Sequence, residues 1–340
     1  MSIVRKKRVL VLDDSLLFRE ILSKGISTDQ HLEVVAMAVD PFDARDKILK
    51  YKPDVMTCDI EMPKMNGIEF IKRLIPQYPI PVIVVSGISE AVFEAMNAGA
   101  VDFVVKPNMQ SVHGVEEFLY DIITKIKIAS KANIGEHKNS NTIDIFTEQN
   151  ASINKIIAVG ASTGGTEALY NILKVFPPTS PGVVVVQHIP PVFSRMFAER
   201  LDKQTQLSVK EAQEGDFIEQ GKVIIAPGDQ QIKVIRVGKK YAIEFCGSNK
   251  VNGHCPSVDV LFESVAKAAG NNAIGVILTG MGYDGAKGLL AMRRKGARTI
   301  GQDEKSSVVY GMPKVAFDLG AVEKQASLEN IPHWVFSMLK

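Results

Sequence analysis

Cysteine is scarce in this chain of 340 residues: Cys58, Cys246 and Cys255 are odd in number, far apart and never in a C-x-x-C pair. That excludes a disulfide framework and a thiolate zinc site, and it is the usage of a reduced, cytoplasmic compartment. No stretch approaches the roughly 18 consecutive apolar residues of a membrane-crossing helix, so no membrane insertion is expected. The opening MSIVRKKRVLVLDD is basic, but two aspartates cut its apolar run at once, which predicts a first strand and not a secretory signal. A block of one charge is also missing. Lys and Arg number 40 against 38 Asp and Glu, for a net charge of +2 without clustering, so a nucleic-acid partner is not indicated. No tandem repeat of solenoid type is present.

What the chain does have is apolar material for two cores. It is 46% hydrophobic, and its length suits two domains at about 100–200 residues each. From Arg8 to Lys127, the runs RVLVL, LEVVAMA, DVMTCD, PVIVVS and VDFVVK alternate with helical spacing, seen at Leu16, Leu17, Ile21 and Leu22 and again at Ile68, Ile71 and Leu74. This predicts an α/β domain, a small doubly wound parallel sheet, over residues 1–128. Residues 129–152 are polar and rich in Asn, Lys and Ser, the composition of a linker. Residues 153–340 start a second series: IIAVG, GVVVVQ, KVIIAPG, AIGVILTG and RTIGQD. IKVIRV and YAIEF, separated by GKK, read as a β-hairpin, so the second domain is expected to be a mostly parallel α/β sheet with an antiparallel hairpin.

Ligands of open α/β sheets bind at the carboxyl ends of the strands. In the first domain those ends carry Asp13, Asp14, Asp59, Ser86 and Lys106. Each alone could be a helix cap or a solvated charge. Three converging carboxylates call for a cation, and hard oxygen ligands suit Mg²⁺. The motifs VLDDS, CDIEMPKMNG, VVS and VKP resemble the receiver domain of two-component response regulators. The resemblance implies a flavodoxin-like fold, Asp59 as phosphoryl acceptor and a histidine kinase as donor. It further implies Mg²⁺ held by Asp14, Asp59 and the backbone carbonyl of Glu61, with Lys106 and Ser86 engaging the phosphoryl oxygens. The segment from Ser86 to Gly99 is a few residues shorter than is usual there, which bears on the fourth helix.

The second domain opens on KIIAVGASTGGTEALYNIL, a glycine-rich turn between strand and helix. A phosphate cradle needs lysine where Thr166 stands, and the G-x-G-x-x-G fingerprint of dinucleotide binding is absent. What remains is G-x-S-x-G, Gly160 to Gly164, which puts Ser162 on a tight bend before helix amides. A serine there is as readily an N-cap as a nucleophile. A partner base decides between them. Of six histidines, His188, His254 and His333 fall in this half. His188 ends one strand and Asp284 follows another, so nucleophile, base and orienting carboxylate project from strand ends onto one face. The order Ser–His–Asp differs from the Ser–Asp–His of α/β-hydrolases, for which His333 would serve. His333, beside Trp334, is instead expected in a packing helix. Cys255 is not read as a nucleophile paired with His254, since side chains adjacent on an extended segment point apart, and both residues are expected to pack or to bind substrate.

The motifs VGASTGGTEAL, QHIPP, IAPGD, HCPSVDVLFESVA and LTGMGYDGAKGLLAMR closely resemble the catalytic domain of the CheB family of chemotaxis protein-glutamate methylesterases. The resemblance implies a triad of Ser162, His188 and Asp284, with the backbone N–H groups of Thr163 and Met281 as oxyanion donors and no cofactor for the esterase reaction. It implies hydrolysis of glutamyl methyl esters on methyl-accepting chemotaxis receptors, deamidation of receptor glutamines, and control by the receiver. Cys255 stands where relatives are commonly basic, so the substrate groove is expected to differ. The rival readings are a response regulator with a non-catalytic binding output and a general lipase-like esterase.

Overall fold

The computed structural model describes residues 5–107, 112–134 and 155–339. The chain divides into two compact units, Met1–Glu136 and His137–Lys340. Most of the expected linker, residues 135–152, lies outside the described residues.

In the first unit β1 (Lys7–Leu12), β2 (Leu32–Ala38), β3 (Val55–Asp59), β4 (Val82–Ser86) and β5 (Asp102–Val105) form a parallel sheet in the order β2-β1-β3-β4-β5. Helices α1 (Leu16–Ile26), α2 (Pro41–Tyr51), α3 (Gly67–Leu74), α4 (Ala91–Asn97) and α5 (Val112–Ala129) connect and follow the strands. The apolar runs are continuous because a parallel sheet is covered on both faces, and Val9, Leu10, Val55, Val82 and Ile83 are all fully buried. Polar side chains cap the first three helices: Ser15, Asp40 and Asn66 accept backbone amides of α1, α2 and α3. The fourth helix has only 7 residues, in keeping with the short segment that carries it. The register pairs Leu12 with Cys58, Asp59 with Val85 and Ser86 with Val105. The strand ends carrying Asp13, Asp59, Ser86 and Lys106 therefore come level around one crevice.

The second unit holds a parallel sheet in the order β14-β13-β12-β6-β7-β9-β8. Its strands are β6 (Ile156–Ala161), β7 (Gly182–Gln187), β8 (Ser208–Glu211), β9 (Lys222–Ile225), β12 (Ala273–Ile277), β13 (Arg298–Gln302) and β14 (Lys324–Ala326). The predicted hairpin forms as β10 (Ile232–Val237) and β11 (Lys240–Phe245), antiparallel as expected, but as a sheet of its own. It is joined to α8 (Val258–Ala268) by the Val234 amide, which donates to Ser264 Oγ at 2.9 Å. Helix α8 buries Val258, Leu261, Phe262 and Val265 completely in the core. Helices α6 (Gly165–Leu173), α7 (Pro191–Gln204), α9 (Ala286–Arg294), α10 (Met312–Asp318) and α11 (Ile331–Ser337) complete the layers. From β6 the chain runs outward through β7, then returns to β12 on the other side. This reversal opens a crevice at the carboxyl ends of β6 and β12, where such sheets bind ligands.

Candidate active site

Ser162 follows β6 and sits on the bend before α6. Its amide donates to Thr279 O at 3.0 Å, and its carbonyl accepts from Gly165 N at 2.7 Å and Gln187 Nε2 at 2.9 Å. Helix α6 takes its N-cap from Gly164, with no side-chain capping bond, so the serine hydroxyl is not spent on the helix. Ser162 is half-buried and within reach of solvent.

His188 follows β7 and is level with the serine, since its amide donates to Ala161 O at 3.1 Å. Its Nε2 lies 2.9 Å from Asp284 Oδ2. The other ring nitrogen, Nδ1, is buried and makes no hydrogen bond among the described residues. The histidine–aspartate leg is thus formed, and the serine–histidine leg is open, with Nδ1 as the unengaged nitrogen. The ring of His254 stacks on that of His188 with centroids 3.7 Å apart and planes 7° apart.

Asp284 lies in the loop between β12 and α9 and is almost completely buried. Burial works against its charge, but His188, Asn252 and Ser257 hydrogen-bond to it and hold its carboxyl well below the usual carboxylate range. Asn252 Nδ2 and Ser257 Oγ donate to its Oδ1 at 2.8 and 2.7 Å, and the amide of Val258 donates to its Oδ2 at 2.7 Å. The amide of Asp259 adds a longer bond of 3.3 Å. Val258 and Asp259 begin α8, so the carboxylate from a distant loop occupies the helix N-terminus and gains its dipole as well.

Thr163 is buried, and its carbonyl accepts from Thr279 Oγ1 at 3.0 Å. Met281 is exposed, and among the described residues its amide donates no hydrogen bond. His333 lies in α11 beside Trp334, as expected, with ring centroids 5.7 Å apart.

In the first unit, Asp13, Asp14 and Asp59 bring one carboxylate oxygen each within 4.8 Å of one another. Lys106 Nζ lies 2.6 Å from Asp59 Oδ2 and 3.0 Å from Asp13 Oδ2. Asp13 and Asp59 are buried, and Asp14 is exposed. Burial pushes the Asp59 carboxyl above its ordinary value despite Lys106. Burial also works against the ammonium, but Asp59 and Asp13 outweigh it and hold the lysine above its ordinary value. The amide of Glu61 donates to Asp59 Oδ1 at 3.3 Å, which sets that residue at the pocket. Ser86 Oγ is buried and has no hydrogen-bond partner among the described residues. Three carboxylates against one ammonium, with an orphan hydroxyl beside them, is a donor set that fits a hard divalent cation and a phosphoryl group.

Residues 157–335 match the family model for CheB methylesterase, and residues 9–114 match that for the response regulator receiver domain. The chain belongs to the CheB methylesterase family. It is 55% identical to protein-glutamate methylesterase/protein-glutamine glutaminase 2 of Syntrophomonas wolfei subsp. wolfei, over 99% of this chain and 98% of that one. Identity is 46% to the protein-glutamate methylesterase/protein-glutamine glutaminase of Salmonella typhi, over 96% of this chain and 95% of its relative. The crystal structure of the Thermotoga maritima CheB methylesterase catalytic domain superposes with a TM-score of 0.53 at 36% identity, covering 55% of this chain and 100% of that domain.

In this CheB-family chain, sequence reasoning leaves out Asn252 and Ser257, which touch Asp284, and places His254 only as a packing or binding residue. The Asn252-Gly253 dipeptide is a turn signal with a mechanism. Ser257 reads as an N-cap, and it holds that position on α8, but its hydroxyl goes to Asp284 instead.

Proposed function

We propose that this chain is a phosphorylation-regulated protein-glutamate methylesterase of the cytoplasm. It hydrolyses glutamyl methyl esters on methyl-accepting chemotaxis receptors and deamidates their glutamines. The observation that carries the reading is the 2.9 Å bond from His188 to the buried Asp284 beside a half-buried serine that caps no helix.

In this reading Asp284 holds the Nε2–H of His188, which leaves Nδ1 as the base. Nδ1 takes the Ser162 proton as Oγ attacks the ester carbonyl carbon. The oxyanion is met by the backbone N–H groups of Thr163 and Met281, each contributing on the order of 3–4 kcal/mol. His188 returns the proton to the departing methoxide, and methanol leaves. Water, deprotonated by the same nitrogen, cleaves the acyl-enzyme and frees the glutamate carboxylate. With glutamine the leaving group is ammonia.

The receiver is the control. Asp59 accepts the phosphoryl group from a histidine kinase, Lys106 neutralises its oxygens and the Ser86 hydroxyl donates to one of them. Asp14, Asp59 and the Glu61 carbonyl are the residues that would hold Mg²⁺. Bound there, the ion would supply further charge neutralisation. Among the described residues no helix is long and apolar enough to cross a membrane.

The test is methanol release from methylated receptor membranes, with and without a small-molecule phosphoryl donor. Ser162→Ala is expected to lower turnover by more than about 10³-fold, and phosphorylation is expected to raise turnover of the parent. Near-parental release from Ser162→Ala would end the assignment of the nucleophile.

A further inference from the structure

We propose that the turn Val251-Asn252-Gly253-His254 is the positioning element of the esterase site: Asn252 fixes Asp284, and His254 fixes the ring plane of His188. The inference rests on the esterase reading and adds two residues to it.

The turn is built to be rigid. Asn252 and Gly253 both have positive φ, 54° and 84°, the pair of left-handed residues that defines a type I′ turn. Val251 and His254 close it with reciprocal backbone bonds of 2.9 Å. From below, buried Gln231 donates to His254 O at 3.0 Å and accepts from Ser257 N at 2.8 Å, which ties the turn to the start of α8.

Two side chains leave this turn toward the same pair of site residues. Asn252 Nδ2 donates to Asp284 Oδ1 at 2.8 Å and to Asp259 Oδ2 at 2.8 Å. Asp259 is itself buried and is held by the amide of Gly288 at 2.7 Å. One neutral amide therefore bridges two buried carboxylates and, with the bonds from Ser257 and Val258, sets the rotation of Asp284 about its side chain. His254 then covers one face of the His188 ring, 3.7 Å away and nearly parallel. With the carboxylate holding one edge and the stack covering one face, rotation of the imidazole is restricted and Nδ1 is held toward one position. Burial and the neighbouring His188 push the His254 imidazole down to about 4, so it is neutral at neutral pH. A neutral ring face is then what the His188 imidazolium meets when Nδ1 takes the serine proton.

A purely structural role does not account for these contacts. Val251 and Gly253 are exposed, and among the described residues nothing lies where a Gly253 side chain would go, so these two positions bury little apolar surface.

The test uses the full chain in four variants: Asn252→Ala, His254→Ala, His254→Phe and Ser162→Ala. Hydrolysis is measured on methylated receptor membranes, and the His188 Nε2–H proton is followed by NMR. Asn252→Ala and His254→Ala are expected to lower kcat roughly 10- to 100-fold, the scale on which a misplaced catalytic group loses rate, with KM within about twofold. His254→Phe restores a flat ring without a titrating nitrogen and is expected to recover at least about a third of parental kcat, a free-energy difference below 1 kcal/mol. The Nε2–H resonance, bridging to Asp284 in the parent, is expected to shift or broaden in Asn252→Ala. Parental kcat in both alanine variants, a loss confined to KM, or His254→Phe as slow as His254→Ala would each overturn the proposal. If Ser162→Ala hydrolyses at the parental rate, the esterase reading fails. The resonance still decides the positioning role, and an unmoved signal overturns it.

Discussion

Gly280 lies against Ser162 so closely that a Cβ on the glycine would stand 2.6 Å from the serine Cβ and 3.2 Å from its backbone nitrogen. On its other side the same atom would meet Met312 Sδ at 2.5 Å. The Gly280 carbonyl is meanwhile pinned by the amides of Gly311 at 3.1 Å and Met312 at 2.7 Å. The Met312 thioether can turn aside, but the Ser162 Cβ and backbone nitrogen cannot yield without moving the bend that carries the serine. Gly280→Ala is therefore expected to cost about 1–3 kcal/mol of stability and to lower kcat for ester hydrolysis more than it raises KM. Thermal unfolding and steady-state kinetics on one preparation check both. An unchanged kcat would mean that the serine bend absorbs the shift.

Asp284→Asn keeps the shape of the site and removes the charge. In the proposed mechanism kcat falls on the order of 10⁴-fold, because the asparagine no longer favours the tautomer that frees Nδ1. Stability carries a second signature. The folded-state carboxyl of Asp284 lies well below the ordinary aspartate value. Its stabilisation is therefore fully present at neutral pH and is lost as pH falls from about 4 toward the folded value. Denaturant midpoints of parent and Asp284→Asn are expected to differ at pH 7 and to converge below pH 4. A constant gap across that range would count against the carboxylate's charge as the cause.

Phosphorylation from a small acyl phosphate is expected to label the full chain only when Mg²⁺ is present. Asp59→Asn removes the proposed acceptor, and Asp14→Ala removes a proposed ligand, so both should lose the acid-stable, base-labile label. Persistent labelling of Asp59→Asn would move the acceptor elsewhere.

Lys106 is the cation that compensates Asp13 and Asp59, two carboxylates with 1% and 2% of their surface exposed. Lys106→Ala removes the cation from both, and leaving a buried charge without its counter-ion costs on the order of 3 kcal/mol. Calorimetry of the full chain is expected to show a lower first-unit transition that Mg²⁺ raises again. No change in that transition would deny the lysine its compensating role.

Much of this was legible before any coordinates. The apolar runs β1, β3, β4, β6, β7 and β12 could be read because strands covered on both faces must be apolar throughout. The polar residues just beyond them, Asp13, Asp59, Ser86, Lys106, Ser162 and His188, could be placed at strand ends for the same reason. β8 (SVKE) and β14 (KQA) escaped, since edge strands are short and only half covered and so need no apolar run. The hairpin was legible from its alternation, but its separation from the main sheet was not, because pairing partners are chosen in space.

The order of residues alone determined which elements form, where each chemically competent side chain leaves its strand, and that a glycine bend presents Ser162. Those are local matters, set by burial period and backbone sterics within a few residues. Only the folded chain decided that His188 meets Asp284 across 96 residues, that Nε2 and not Nδ1 makes the bond, and that Asn252 and Ser257 hold the carboxylate. Hydrogen bonds and charge burial depend on distances through space and on the exclusion of water, and neither is written in the spacing of residues along the chain.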